Sequence, residues 1–236
     1  MRPALLILAL PVATACSVVT PPPMRMLHEP VLRGEPGAVS VAVVGGAGAG
    51  VFTDASAGGE VRVSGTVTRE IELEGALGAG GRFGNDNDGK IGVPDLLAWG
   101  RLGGRYRPAP IDWLTVHFGL GGGSADTGLA WITPDLGVSF GYSFARRVRP
   151  YIGVSFALAA PLARGPLIRD AEDEGVDRRP ALTLWSGASA GLSVRVARSL
   201  ELGAEFFTQW GWAPNSESAL VVGGTGVLRY TFGPVR

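Results

Sequence analysis

The stretch at 181–210 constrains this chain more than any other: ALTLWSGASAGLSVRV, the turn Ala197-Arg198-Ser199, then LELGAEFFTQW. On the first segment Leu182, Leu184, Ala188, Ala190, Leu192, Val194 and Val196 share one parity, and Thr183, Ser189, Ser193 and Arg195 the other. On the second, Leu200, Leu202, Ala204, Phe206 and Trp210 oppose Glu201, Gly203, Glu205 and Gln209. Successive side chains of a strand point to opposite faces, so each segment is a strand with one apolar and one polar face. A turn this short joins them as an antiparallel ribbon.

The same pattern recurs from residue 37 onward. Strands are expected at about 38–51, 59–68, 70–80, 95–106 and 112–121, then at about 130–144, 150–160 and 218–232, besides the two of the ribbon. Val61, Val63 and Val67 oppose Glu60, Arg62, Ser64 and Thr66; Ile71, Leu73 and Leu77 oppose Glu70, Glu72 and Glu74. Turns near 69, 109, 147 and 198 are short, and loops near 85, 170 and 214 are longer. The 37 glycines fall inside strands as well as at turns, a pattern that barrels use for bends and crowded interior positions. The fold class expected is all-β, an antiparallel up-and-down transmembrane β-barrel of about ten strands, with eight as the fallback count.

Alternation alone does not say which face meets the core, because a soluble lipocalin-like barrel has the same period with its apolar face inside. Three features favour lipid outside. The strands are about ten residues or longer, enough to cross a bilayer at a tilt. Aromatic residues (Trp131, Trp185, Trp210, Trp212, Tyr106, Tyr142, Tyr230 and Phe232) gather towards strand ends, as interface girdles do. The third feature is the N-terminus. Residues 1–15 read as a signal peptide, with Arg2, a short apolar core and an Ala13-Thr14-Ala15 cleavage pattern.

Residues 16–36 then read as a proline-containing linker, and 37–236 as the barrel domain. Cys16, the only cysteine, follows small residues as in a lipoprotein lipobox and is the candidate lipidation site, although Ala13 stands where that motif has Leu. One cysteine excludes an intramolecular disulfide framework.

Taken together, a basic turn followed by ELEGALG (72–78) or LELGAEF (200–206) resembles the small outer-membrane β-barrel proteins of Gram-negative bacteria, over roughly residues 37–236. The resemblance implies a bacterial outer-membrane location. It also implies outer-membrane lipids, lipopolysaccharide and the barrel-insertion machinery as partners. Such proteins commonly end on an aromatic residue; here Phe232 is followed by Gly233-Pro234-Val235-Arg236, a departure from that insertion signal.

With lipid outside, the interior carries Glu60, Arg62, Glu70, Glu72, Glu74, Arg101, Arg105, Asp135, Arg195, Glu201, Glu205 and Arg229. Charges held away from bulk water need partners, and a ten-strand interior is small enough for side chains to fill. The expectation is a salt-bridged lumen in a protein with a structural or interaction role. A narrow pore for small solutes or ions is the alternative, and a soluble ligand-binding barrel a further one.

Loop 84–96, GNDNDGKIGVPDL, resembles a calcium-binding loop, with Asp86, Asp88 and Asp95 as candidate ligands, though Gly84 occupies the first ligand position. No other cofactor is expected: the glycine-rich 45–50 stretch leads into no helix and lacks a phosphate-binding Lys. Lys and Arg (21) balance Asp and Glu (21), so net charge gives no case for nucleic acid. Catalysis would need an activated nucleophile, a base and an orienting group. The only histidine beyond the linker is His117, placed mid-strand and facing inward, and the chain is read as non-enzymatic.

Overall fold

The computed structural model describes residues 18–19, 35–50, 55–83, 95–125, 128–144, 147–163, 180–214 and 218–233. Ten strands follow in order: β1 Val39–Gly50, β2 Ala55–Thr66, β3 Ile71–Phe83, β4 Asp95–Tyr106 and β5 Leu114–Ala125, then β6 Ala130–Gly141, β7 Val148–Ala163, β8 Thr183–Arg195, β9 Leu200–Trp212 and β10 Ala219–Phe232. Each pairs antiparallel with its sequence neighbours, and β10 pairs with β1 from Phe232↔Val39 to Val221↔Gly50, which closes the barrel. Closure satisfies every strand edge, the condition for a sheet to cross lipid. Val18–Val19 and Pro180–Ala181 form a separate two-stranded parallel sheet. The signal-peptide and Cys16 readings fall outside the described residues.

The barrel is inverted relative to a soluble protein. The largest fully buried side chains are Arg105, His117, Thr115, Thr133, Thr183, Ser139 and Ser193. By contrast Leu77 and Leu102 are 74% exposed, and Phe206 is 62% exposed, on the outer wall. A soluble lipocalin-like barrel would reverse both lists. The strands run 12 to 16 residues, past the roughly 9–11 that a tilted membrane strand needs. Among the described residues there is no helix, so the crossing is made by strands.

Some strands outrun their sequence signal. β2 starts at Ala55, β3 continues to Phe83 and β5 to Ala125, through ASAGG, GAGGR and GGGSA. These glycine and alanine runs have weak strand preference, but paired neighbours hold them in the ladder, as when Gly58 faces Gly80. The sixth strand ends at Gly141 because Tyr142 and Phe144 already belong to the turn, where Phe144 N donates to Val148 O at 2.7 Å.

The short turns β2–β3, β4–β5, β6–β7 and β8–β9 lie at one end with Val39 and Phe232; the other links lie at the opposite end. Tyr106, Trp113, Tyr142, Phe144, Tyr230 and Phe232 are exposed at the short-turn end, and Trp210 and Trp212 at the other. Two aromatic positions expected in the girdles are not there. Trp131 and Trp185 are 3% and 4% exposed and face the lumen. Their parity is that of Thr133 and Thr183, so the alternation rule, not proximity to a strand end, decides their side.

Candidate functional site: the charged lumen

The interior has two layers. Towards the long-loop end, Trp99, Leu97, Leu129 and Trp131 pack as one cluster and Ala159, Trp185 and Ala219 as another. Below them, β2 to β6 contribute a belt of charge that runs from the middle of the barrel towards the short-turn end. Period-two alternation places Glu60 and Arg62 on β2, Glu72 and Glu74 on β3, Arg101 and Arg105 on β4, His117 on β5, and Asp135 and Ser139 on β6, all facing inward and buried.

Glu74 is the hub of this belt. Its Oε1 pairs with Arg101 Nη1, while its Oε2 lies 2.9 Å from Arg105 Nη2 and 3.7 Å from Arg62 Nη1. Arg101 is gripped from the other side by Asp135: Nε donates to Oδ2 at 2.7 Å and Nη2 to Oδ1 at 2.8 Å. That bidentate geometry fixes the guanidinium plane as well as its charge. Arg101 Nη2 also donates to Phe118 O at 3.2 Å. Arg62 Nε pairs with Glu60 Oε1, Trp99 Nε1 donates to Glu60 Oε2 at 3.2 Å, and Arg105 Nη1 stands 3.6 Å from Glu72 Oε1. Three guanidiniums (Arg62, Arg101, Arg105) and four carboxylates (Glu60, Glu72, Glu74, Asp135) thus cross-link β2, β3, β4 and β6, and the Arg101–Phe118 O bond adds β5.

Two glycines create the space for it. A Cβ at Gly119 would collide with the Arg101 guanidinium, and one at Gly78 with the Trp99 indole. The large side chains lie flat against the wall over those bare positions, which is how a ring and a fork fit inside so narrow a barrel.

Across the lumen Glu201 faces Arg195 on β8 and Arg229 on β10 in the strand register, and Glu205 faces Thr225. Arg229, Glu201 and Glu205 are buried, and Arg195 is half-buried. Of the residues expected in the lumen, Glu70 lies elsewhere. It sits in the β2–β3 turn, where it accepts the Thr68 hydroxyl at 3.0 Å and where Thr68 Oγ1 takes the Glu70 and Ile71 amides. The strand begins one residue later than its alternation suggested, because this Thr-centred turn captures Glu70.

His117 is inward, its Nε2 2.7 Å from Ser139 Oγ on the neighbouring strand. Ser139, Thr133 and the Trp99–Glu60 bond were not legible as site elements, since each depends on register rather than on residue type. Asp86 and Asp88 of the calcium reading fall outside the described residues, and Asp95 opens β4 opposite Arg82. Among the described residues, no group of three or more His, Cys, Asp or Glu is placed to hold a metal ion.

The closed ladder, apolar exterior and charged interior make this an outer-membrane-type β-barrel and place it in the bacterial outer membrane, where such barrels span lipid. No protein-family model matches the chain, and no curated protein matches it. Solved barrels of low identity do. The β domain of the Bordetella autotransporter Brka is 13% identical, with a TM-score of 0.49 over 84% of this chain and 100% of that one. An outer-membrane channel of Pseudomonas putida F1 is 11% identical, with a TM-score of 0.48 over 83% of this chain and 95% of that one. A loop-deletion mutant of OmpT, an outer-membrane protein of Vibrio cholerae, is 13% identical, with a TM-score of 0.36 over 83% of this chain; this chain spans 62% of its length. At such low TM-scores the assignment rests on this chain's own pairing and polarity.

Proposed function

We propose that this is a non-catalytic outer-membrane barrel with an occluded lumen, serving a structural or interaction role rather than conduction. The observation that carries the reading is the interlocked belt around Glu74. Arg62, Arg101, Arg105, Glu72, Glu74 and Asp135 are each 8% exposed or less. A water-filled pore keeps its charges hydrated, whereas these take one another as partners. Removing Arg101 would strip Asp135 of its bidentate partner and leave that carboxylate charged in a low-dielectric interior.

A narrow pore is the second reading, favoured by one feature. The inward positions Gly46, Gly48, Gly58 and Gly80 carry no side chains, which leaves the β1–β3 wall bare on the long-loop half. Trp99 and Phe207 lean over Gly58 and Gly48, which favours occlusion there as well.

Reconstitution in planar bilayers separates the two readings. The occluded barrel gives no steady unitary conductance, and Arg101→Ala introduces either current or unfolding. Steady steps in the unmodified protein, altered in size by Arg101→Ala, would establish the pore. Catalysis has no part in the proposal: His117 faces the interior towards the short-turn end, opposite Arg105, with Ser139 beside its Nε2. Any lipid-modifying activity of the purified barrel that His117→Ala abolishes would overturn that.

A further inference from the structure

Between the charged belt and the long-loop end, the lumen is lined differently from the half below. Trp99 and Trp131 belong to one apolar cluster and Trp185 to another, and the two clusters do not merge. On the remaining arc of the wall at this end, the inward side chains of Ser56, Gln209 and Val221 are half-buried, so solvent reaches it. The rings lie against bare backbone. A Cβ at Gly123 would strike the Trp131 indole, as one at Gly78 would strike Trp99 and one at Gly211 would strike Trp185. Three indoles lying flat on the wall turn their free faces towards the axis.

Two polar atoms in this layer have no use in the fold. Trp131 Nε1 and Thr133 Oγ1, on the same face of β6, are buried without a hydrogen-bond partner among the described residues. Leaving a buried polar group unsatisfied is costly, so each such atom calls for an explanation. In the ladder Trp131 stands beside Gly123 of β5 and Thr133 beside Gly121. Arg101 is on the other side of Gly121, and its guanidinium lies over Gly119, gripped by Asp135. The unused N–H and hydroxyl thus stand directly above a fixed, charge-paired floor.

We propose that this layer is a binding chamber, closed below by the belt, for a small neutral molecule that carries a ring and a hydroxyl or carbonyl oxygen. The indole faces take the ring. Trp131 Nε1–H donates to the oxygen, and the Thr133 hydroxyl donates to it or accepts from it. A mostly apolar wall with a few placed polar groups is the usual make-up of a small-molecule site. An ionic ligand is disfavoured, because Arg101, Glu74 and Asp135 already take one another as partners. This inference rests on the lumen being occluded at the belt, and it gives the interaction role a ligand.

The test is quenching of indole emission by para-bromobenzyl alcohol, whose bromine quenches on contact. In the full chain carrying Trp113→Phe, Trp210→Phe and Trp212→Phe, refolded in detergent, emission comes only from Trp99, Trp131 and Trp185. Quenching should saturate and should be relieved by unbrominated benzyl alcohol. Para-bromotoluene, which lacks the oxygen, should bind about three- to tenfold more weakly, the loss expected for a hydrogen bond. Thr133→Val and Trp131→Phe should each narrow that gap, and together should close it. A heat-sensitive compact gel band verifies that each variant is folded. Quenching that rises linearly with the probe and ignores benzyl alcohol would be partition into the micelle alone and would overturn the proposal. So would equal binding of the alcohol and the toluene, or a gap that survives both substitutions in a folded variant. Steady unitary conductance of the unmodified barrel would remove the closed floor on which the inference rests, and it is read independently of binding.

Discussion

At the scale of single residues, Glu74 and Arg101 hold the interior together because each satisfies more than one partner. Breaking a buried ion pair from one side costs more than the pair contributes, since the remaining charge stays out of water. Arg101→Ala should therefore destabilise the barrel by about 3–5 kcal/mol, read from urea unfolding in vesicles. An effect within experimental error would mean that Glu74 and Asp135 reach water. Gly78→Ala tests the packing. Its Cβ would strike the Trp99 ring, so a loss of about 1–3 kcal/mol is expected. Gly45→Ala, with nothing within 4 Å of the added carbon, should be near neutral or stabilising in the same measurement. The carboxylates and arginines of this belt were legible in the sequence, because charge alternated with Val and Leu along β2 to β4. The identity of the hub was not. It depends on the register that brings Glu74 beside both Arg101 and Arg105, and on the empty position at Gly119.

At the scale of elements, each strand presents a lipid face and a lumen face. Leu102 stands on the lipid face of β4, between the inward Arg101 and the short-turn end, and is 74% exposed. Leu102→Arg should cost about 2–4 kcal/mol if it lies near the bilayer midplane, and less towards either interface. The measurement is folding stability in vesicles. A neutral result would mean that Leu102 meets water rather than hydrocarbon, and would count against lipid outside.

Most strand identities followed from period two alone. β4 and β9 begin where alternation begins, whereas β2, β3 and β5 run on through glycine and alanine that carry no pattern. There the ladder, not the side chains, sets the end. Trp131 and Trp185 show the opposite lesson: parity assigned them to the lumen, and a preference for aromatics at strand ends assigned them to the girdle. Parity holds, because a strand side chain cannot change face without a bulge and the only register shift on β6 lies between Ala130 and Trp131.

For the whole molecule, closure and inversion belong together. A closed ladder removes every unpaired edge, an apolar exterior matches hydrocarbon, and the polar side chains are left to pair inside. The composition of the chain, with balanced charge and abundant glycine, fits that scheme, but it does not separate lipid-out from lipid-in. Only the burial of Arg105 and His117 against the exposure of Leu77 and Leu102 does so.

The most direct test is therefore to refold the purified chain with and without detergent or lipid vesicles, following β-type circular dichroism and heat-modifiable gel mobility. The inverted barrel predicts a compact, heat-sensitive band that forms only when detergent or lipid is present. A stable, monomeric β-protein in plain buffer would contradict it, because Leu77, Leu102 and Phe206 would then have to be buried and the charged belt turned outward.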